Sequence, residues 1–174
     1  MSQFVRGSLR TNRWLETEGR APYDFPADVI TDLATKGGQL SVFEVIEPIT
    51  AERIAIAVAA GKQKPHHTGY AVFDRAAVEG LGIACEKTTG GTIDAAVNSV
   101  HYNLHVPTAG KLVELAGVIA AGDVVPILKD QMTQLVRRGF ESGQLDYKQN
   151  RTLCDNVKAQ IPNRGDDASR VDDG

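Results

Sequence analysis

Cysteine is scarce in this chain: two residues, Cys85 and Cys154, among 174. Two thiols cannot build the disulfide framework of a secreted scaffold, so a reducing compartment is expected. Long apolar runs are missing too. The longest, IAIAVAA from Ile54 to Ala60, falls well short of the roughly 20 residues a membrane helix needs. The opening residues, MSQFVRGSLR, hold no apolar core of a secretory leader. The expectation is a cytoplasmic protein that does not enter a membrane.

An excess of positive charge is also lacking. Lysine and arginine number 19 against 22 acidic residues, for a formal net charge of −3. Asp166, Asp167, Asp172 and Asp173, against Arg170, account for all of it, and residues 1–165 are formally neutral. Duplex nucleic acid demands a basic face, which argues against that partner. Residues 124–164 are mildly basic, but the first of their two expected helices is too long for a helix-turn-helix. The phosphate-loop, dinucleotide-loop and H-E-x-x-H signatures are all absent, and no repeat of 20–50 residues is found.

What is present is an ordinary globular composition, 42% hydrophobic and 24% charged. A single unit over residues 1–164 is expected, with an α/β lobe at about 23–90 and a helical lobe at about 91–164. The acidic stretch 165–174 has almost nothing apolar to bury and is expected to be disordered.

In the first lobe, DFPADVITDLATKGG predicts a short helix with Val29, Ile30 and Leu33 on one face and Gly37–Gly38 as its stop. QLSVFEVIE predicts a strand. Thr50 is a good N-cap for PITAERIAIAVAAGK, and Gly61 its stop. GYAVFD and IACEK predict two more strands around a short helix in RAAVEGLG. Alternating strands and helices imply an α/β or α+β fold: a small parallel or mixed sheet with covering helices.

For the second lobe the expectation is helical throughout. Thr92 caps a stripe of Ile93, Ala96, Val97, Val100 and Leu104; Thr108 caps a helix running to Gly122; Asp123 opens a long helix closing at Gly143; and a last helix places Tyr147, Cys154, Val157 and Ile161 on one side.

Four histidines raise the question of a metal. His66 and His67 lie in KQKPHHTGY, and His101 and His105 in VHYNLHV. On a helix His101 and His105 would sit one turn apart, like a two-histidine clip for zinc or another divalent ion. VHYNLHV also alternates perfectly, and as a strand would hold the pair about 13 Å apart. A small metal-assisted hydrolase or transferase using His66, His67, His101 and His105 is therefore the secondary reading. The two cysteines read as small core hydrophobes rather than nucleophiles. EKTTGGTID could offer amides to an anion, but a glycine pair marks turns generally.

The leading reading is a binding or regulatory module without catalytic activity or cofactor, acting on another protein or on itself. RTNRWLETEGRAPYDF contains the single tryptophan, and Arg10, Arg13, Trp14 and Tyr23 are the residue types that dominate interface energetics. The simpler role for Trp14 is to anchor the N-terminal arm in the core.

Overall fold

The computed structural model describes residues 2–33, 35, 37–62 and 69–146. Its centre is a six-stranded sheet. The strands are β1 (Gln3–Leu9), β2 (Gln39–Glu44), β3 (Gly69–Asp74), β4 (Ala84–Lys87), β5 (His101–His105) and β6 (Asp123–Val125). The helices are α1 (Thr11–Leu15), α2 (Ala27–Asp32), α3 (Ala51–Ala60), α4 (Arg75–Gly80), α5 (Ala95–Asn98), α6 (Ala109–Ala120) and α7 (Lys129–Glu141), with a 3-10 turn over Pro22–Asp24.

The sheet order is β4-β5-β2-β1-β3-β6, and every neighbouring pair is antiparallel. This overturns the parallel or mixed sheet expected from alternating strands and helices. The cause is insertion. β2, α3 and β3 do form a crossover whose strands point the same way, but β1 lies between them, antiparallel to both. β5 likewise separates β2 from β4. The strands expected from their own composition share one direction, and none of them touches another.

The helical C-terminal half is corrected as well. The segment capped by Thr92 in the sequence reading is helical only over Ala95–Asn98, and Asp94, not Thr92, caps it through the amides of Ala96 and Val97. A turn through Val100 then leads directly into β5, which lines up Leu40 with Leu104 and Val42 with Tyr102. Asp123 begins β6, not a helix; α7 starts six residues later. The expected last helix and the acidic tail lie outside the described residues.

Several local expectations do hold. The Thr50 hydroxyl accepts from Arg53 N at 3.2 Å and the Thr108 hydroxyl from Lys111 N at 3.2 Å, each meeting one amide that a first helical turn leaves open. Gly61 follows α3, and Gly143, at φ 74°, ends the turn after α7.

Helices cover both faces of the sheet. On one, α3, α5 and α7 enclose Val5, Phe43, Ile54, Val97, Met132 and Val136. On the other, Trp14, Val29, Val78, Leu115 and Ile119, from α1, α2, α4 and α6, enclose Phe4, Leu40, Val42 and Phe73. Phe4 and Val5, consecutive on β1, are both fully buried because β1 has a helical layer on each side. Among the described residues, no helix is long and apolar enough to cross a membrane.

Candidate binding surface around the end of strand β1

The chain leaves β1 through an irregularity. Register with β3 shifts between Gly7 and Leu9, and Ser8 sits at φ 67°, a left-handed conformation uncommon for serine. Such bulges re-aim side chains at the ends of sheets. Leu9 then drops into the core, and α1 follows at once, turning Trp14 inward to 1% exposure.

Asp32, at the end of α2, ties this segment down. One of its oxygens, Oδ2, accepts from Arg10 N at 2.7 Å and from the Trp14 indole Nε1 at 3.1 Å, while Oδ1 pairs with Arg10 Nε at 3.1 Å. Its side chain is only 11% exposed. Three donors on one carboxylate fix both the direction of the chain leaving β1 and the tilt of the indole. Arg13 reaches Asp28 and Glu16, each at 3.1 Å, from a half-exposed position.

Of the four residues expected to bind a partner, the fold therefore uses them differently. Trp14 belongs to the core. Arg10 and Arg13 are about half exposed, at 54% and 50%, and each is already engaged by a carboxylate. Tyr23 projects to solvent at 74% exposure. Its neighbour Pro22 forms one wall of an open, largely apolar groove of about 450 Å³ between α4 and α6, with Leu81, Val118 and Ala121 inside it and Asp74 and Glu114 at its rim.

Below Asp32 lies a group of residues that the sequence reading passed over. The Arg6 guanidinium is drawn into the protein and donates Nη1 to the Ser41 carbonyl at 2.8 Å, while its Nε is buried with no partner. Lys62, just past α3, donates its ammonium to the Ser8 hydroxyl. Burial pulls the pKa of Arg6 below its ordinary value, with Asp32 opposing; an arginine remains a cation regardless. Lys62 is lowered first by partial desolvation and then by the charge of Arg6, again with Asp32 opposing. No sequence signal marks this group: Arg6, Asp32 and Lys62 are far apart along the chain, and only the end of β1 unites them.

The histidines do not converge. Because β5 is a strand, His101 and His105 are four strand residues apart, about 13 Å, with Asn103 between them on the same face. They cannot share an ion, which removes the best pair from the metal-assisted reading. His101 is buried, sets its Nδ1 2.7 Å from the Thr88 hydroxyl, and meets the edge of Phe43. Burial holds it below its ordinary pKa, the bond to Thr88 acting the other way. His105 lies 2.8 Å from Glu86 at the surface. His66 and His67 are outside the described residues, and among those described no three potential metal ligands gather.

Cys85 is half-buried, with its thiol pushed up by burial and by Glu79 against the weaker pull of Arg75, which makes it a poor nucleophile. Cys154 is outside the described residues. The TTGGT loop spends its polar groups internally: Thr92 N and Oγ1 both donate to Asn98 Oδ1, and Asn98 Nδ2 donates to Thr92 O. Asp94, beneath it, holds Arg53 through two bonds of 2.8 and 3.0 Å.

Compared with protein-family models, curated proteins and solved structures, the chain matches none of them.

Proposed function

We propose that this protein is a small cytoplasmic binding module, acting on another protein rather than as a catalyst, and that the partner docks on the surface carrying Tyr23. The observation that carries this reading is the pairing of an exposed tyrosine with an apolar groove. Tyr23 stands out into solvent beside Pro22, and Pro22 walls the open cleft between α4 and α6. An exposed aromatic on the segment that walls an apolar cleft offers the contact area of an interface hot spot. Asp74 and Glu114 at the rim favour a partner segment with an apolar anchor flanked by a basic residue. Arg10 and Arg13 contribute as half-exposed donors on the adjoining segment, and Trp14 acts from below by fixing that segment's path.

The test is affinity capture from the native cell, followed by measured affinities for whatever is recovered. Tyr23→Ala, which removes the exposed ring next to Pro22, and Ala77→Arg, which fills the groove from its α4 wall, are each expected to weaken partner binding at least tenfold. Arg13→Ala is expected to weaken it by a few-fold. If Tyr23→Ala and Ala77→Arg bind the recovered partners as tightly as the wild type, the docking surface is elsewhere and this reading fails.

A further inference from the structure

The groove between α4 and α6 leaves apolar surface open to water. Gly117, Ala121 and Gly122 line it together with Ala77 and Val118, and their small or missing side chains leave a cleft of about 450 Å³. A cleft of that size takes a pair of aliphatic side chains rather than a whole helix. Its two rim acids are not equally engaged. Glu114 holds Lys111 at 2.7 Å, whereas Asp74 caps α4 through the Ala76 amide and makes no ion pair among the described residues. The complement of this groove is therefore an aliphatic pair with a cation close by.

The described chain ends at Asp146, whose amide donates to the Ile93 carbonyl just before α5. α5 sits where β2 ends, since Glu44 N donates to Val100 O. β3 ends on the same side of the sheet: on β1, Phe4 pairs with Glu44 and Gln3 with Asp74. Asp74 is also part of the groove's rim. Passing from the α5 layer over that end of the sheet to the α4 layer crosses about two helix diameters, roughly 20–25 Å. Residues 147–156 can span up to about 33 Å. The next eight residues, VKAQIPNR, hold Val157 and Ile161 four apart, with Lys158 between them and Arg164 beyond. On a helical turn Val157 and Ile161 share one face. We propose that Val157 and Ile161 dock in the groove between α4 and α6 of their own chain, with Lys158 against Asp74, so that the protein covers its own binding surface. The aspartates at 166, 167, 172 and 173 suit the groove poorly, because its rim is already acidic. The docking stands apart from any partner; the regulation it implies, a partner competing with residues 157–164, rests on the reading of the groove as the partner's site.

The experiment places a nitroxide on Cys154 of the full chain, ¹⁵N-labelled, in a Cys85→Ser background. The Cys85 thiol meets the Ile83 carbonyl, a contact that a serine hydroxyl keeps. The expected result is broadening of the Gly117 and Ala121 amides that does not depend on protein concentration. It should fall several-fold when Val157→Asp and Ile161→Asp are combined, and again when Ala77→Arg fills the groove; Lys158→Glu should reduce it less. These variants act from opposite sides of the contact, so loss of fold in one leaves the other to decide. No broadening, broadening that both variants leave in place, or broadening that arises only between a nitroxide-bearing chain and a second, ¹⁵N-labelled copy overturns the proposal. With self-docking observed, partners recovered by affinity capture should bind the Val157→Asp/Ile161→Asp chain several-fold more tightly than the wild type. Unchanged affinity then counts against the groove as the partner's site and leaves the self-docking in place.

Discussion

Asp32 shows how much one side chain decides here. It is the common acceptor for the Arg10 backbone amide, the Arg10 guanidinium and the Trp14 indole. Replacing it by Ala leaves a buried indole N–H unmet and frees the chain leaving β1, so Asp32→Ala is expected to cost about 2–3 kcal/mol. Arg13→Ala removes only half-exposed ion pairs and should cost less than about 1 kcal/mol. Urea unfolding midpoints of the two variants, compared with the wild type, check the contrast. His101 supplies a second expectation. Burial holds its pKa below the ordinary 6.5, so the folded state keeps the ring neutral while the unfolded chain takes up a proton more readily. The resulting stability is fully present above pH 6.5 and is lost as pH falls from there towards the lowered folded value. In His101→Gln that part of the stability–pH profile should be flat, as read by denaturant unfolding at pH 5 and pH 7.5.

At the scale of elements, two glycines set how closely the edge strand can approach. A Cβ on Gly69, at the start of β3, would overlap the Val125 carbonyl oxygen and the Thr11 methyl; one on Gly122, before β6, would overlap the Val72 carbonyl oxygen. Backbone atoms cannot swing aside as a flexible side chain does. Gly69→Ala and Gly122→Ala are therefore each expected to destabilise by roughly 2–4 kcal/mol, within the range of overpacked or strained sites. Gly80→Ala, at an exposed position with open space around it, should change stability by no more than about 1 kcal/mol, and thermal melts of the three proteins would show the difference. β5 carries the element-level lesson about function. VHYNLHV satisfies both a helical and an extended pattern, and pairing with β2 on one side and β4 on the other resolves it as a strand. That choice separates His101 from His105 and dissolves the metal clip.

For the whole molecule, the Arg53–Asp94 pair links α3 to α5 within one helical layer. Asp94 is 2% exposed, and burial alone would raise its pKa. The bond from Arg53 and those from the Val97 and Ala96 amides outweigh burial and hold the carboxyl below its ordinary 3.8. A depressed carboxyl contributes stability that is present above the unfolded value and is lost as pH falls through the folded one. Acid unfolding of the wild type should therefore steepen below about pH 3.8, and Asp94→Asn should start less stable at neutral pH with a shallower acid limb, monitored by circular dichroism. If the two acid limbs superimpose, the pair does not link folding to protons.

The local punctuation of this fold was legible without coordinates, because it rests on groups within a few residues of one another. Thr50 and Thr108 cap their helices, Gly61 and Gly143 stop theirs, β2 and β3 follow from runs holding β-branched and aromatic residues, and β4 falls within the strand expected at IACEK. Tyr23 could be singled out as an interface type, although not its exposure. Long-range pairing supplied the rest. β1 reads poorly as a strand, with Arg6, Gly7 and Ser8 in its middle, yet it becomes central because two helical layers cover it and Gly7 leaves room for Val58. Its insertion between β2 and β3 turns an expected parallel sheet into an antiparallel one without reversing any of the expected strands. The placement of the Arg6 guanidinium on the Ser41 carbonyl follows from the same insertion. Residues distant in sequence acquire a shared electrostatic environment only once the sheet has closed around β1.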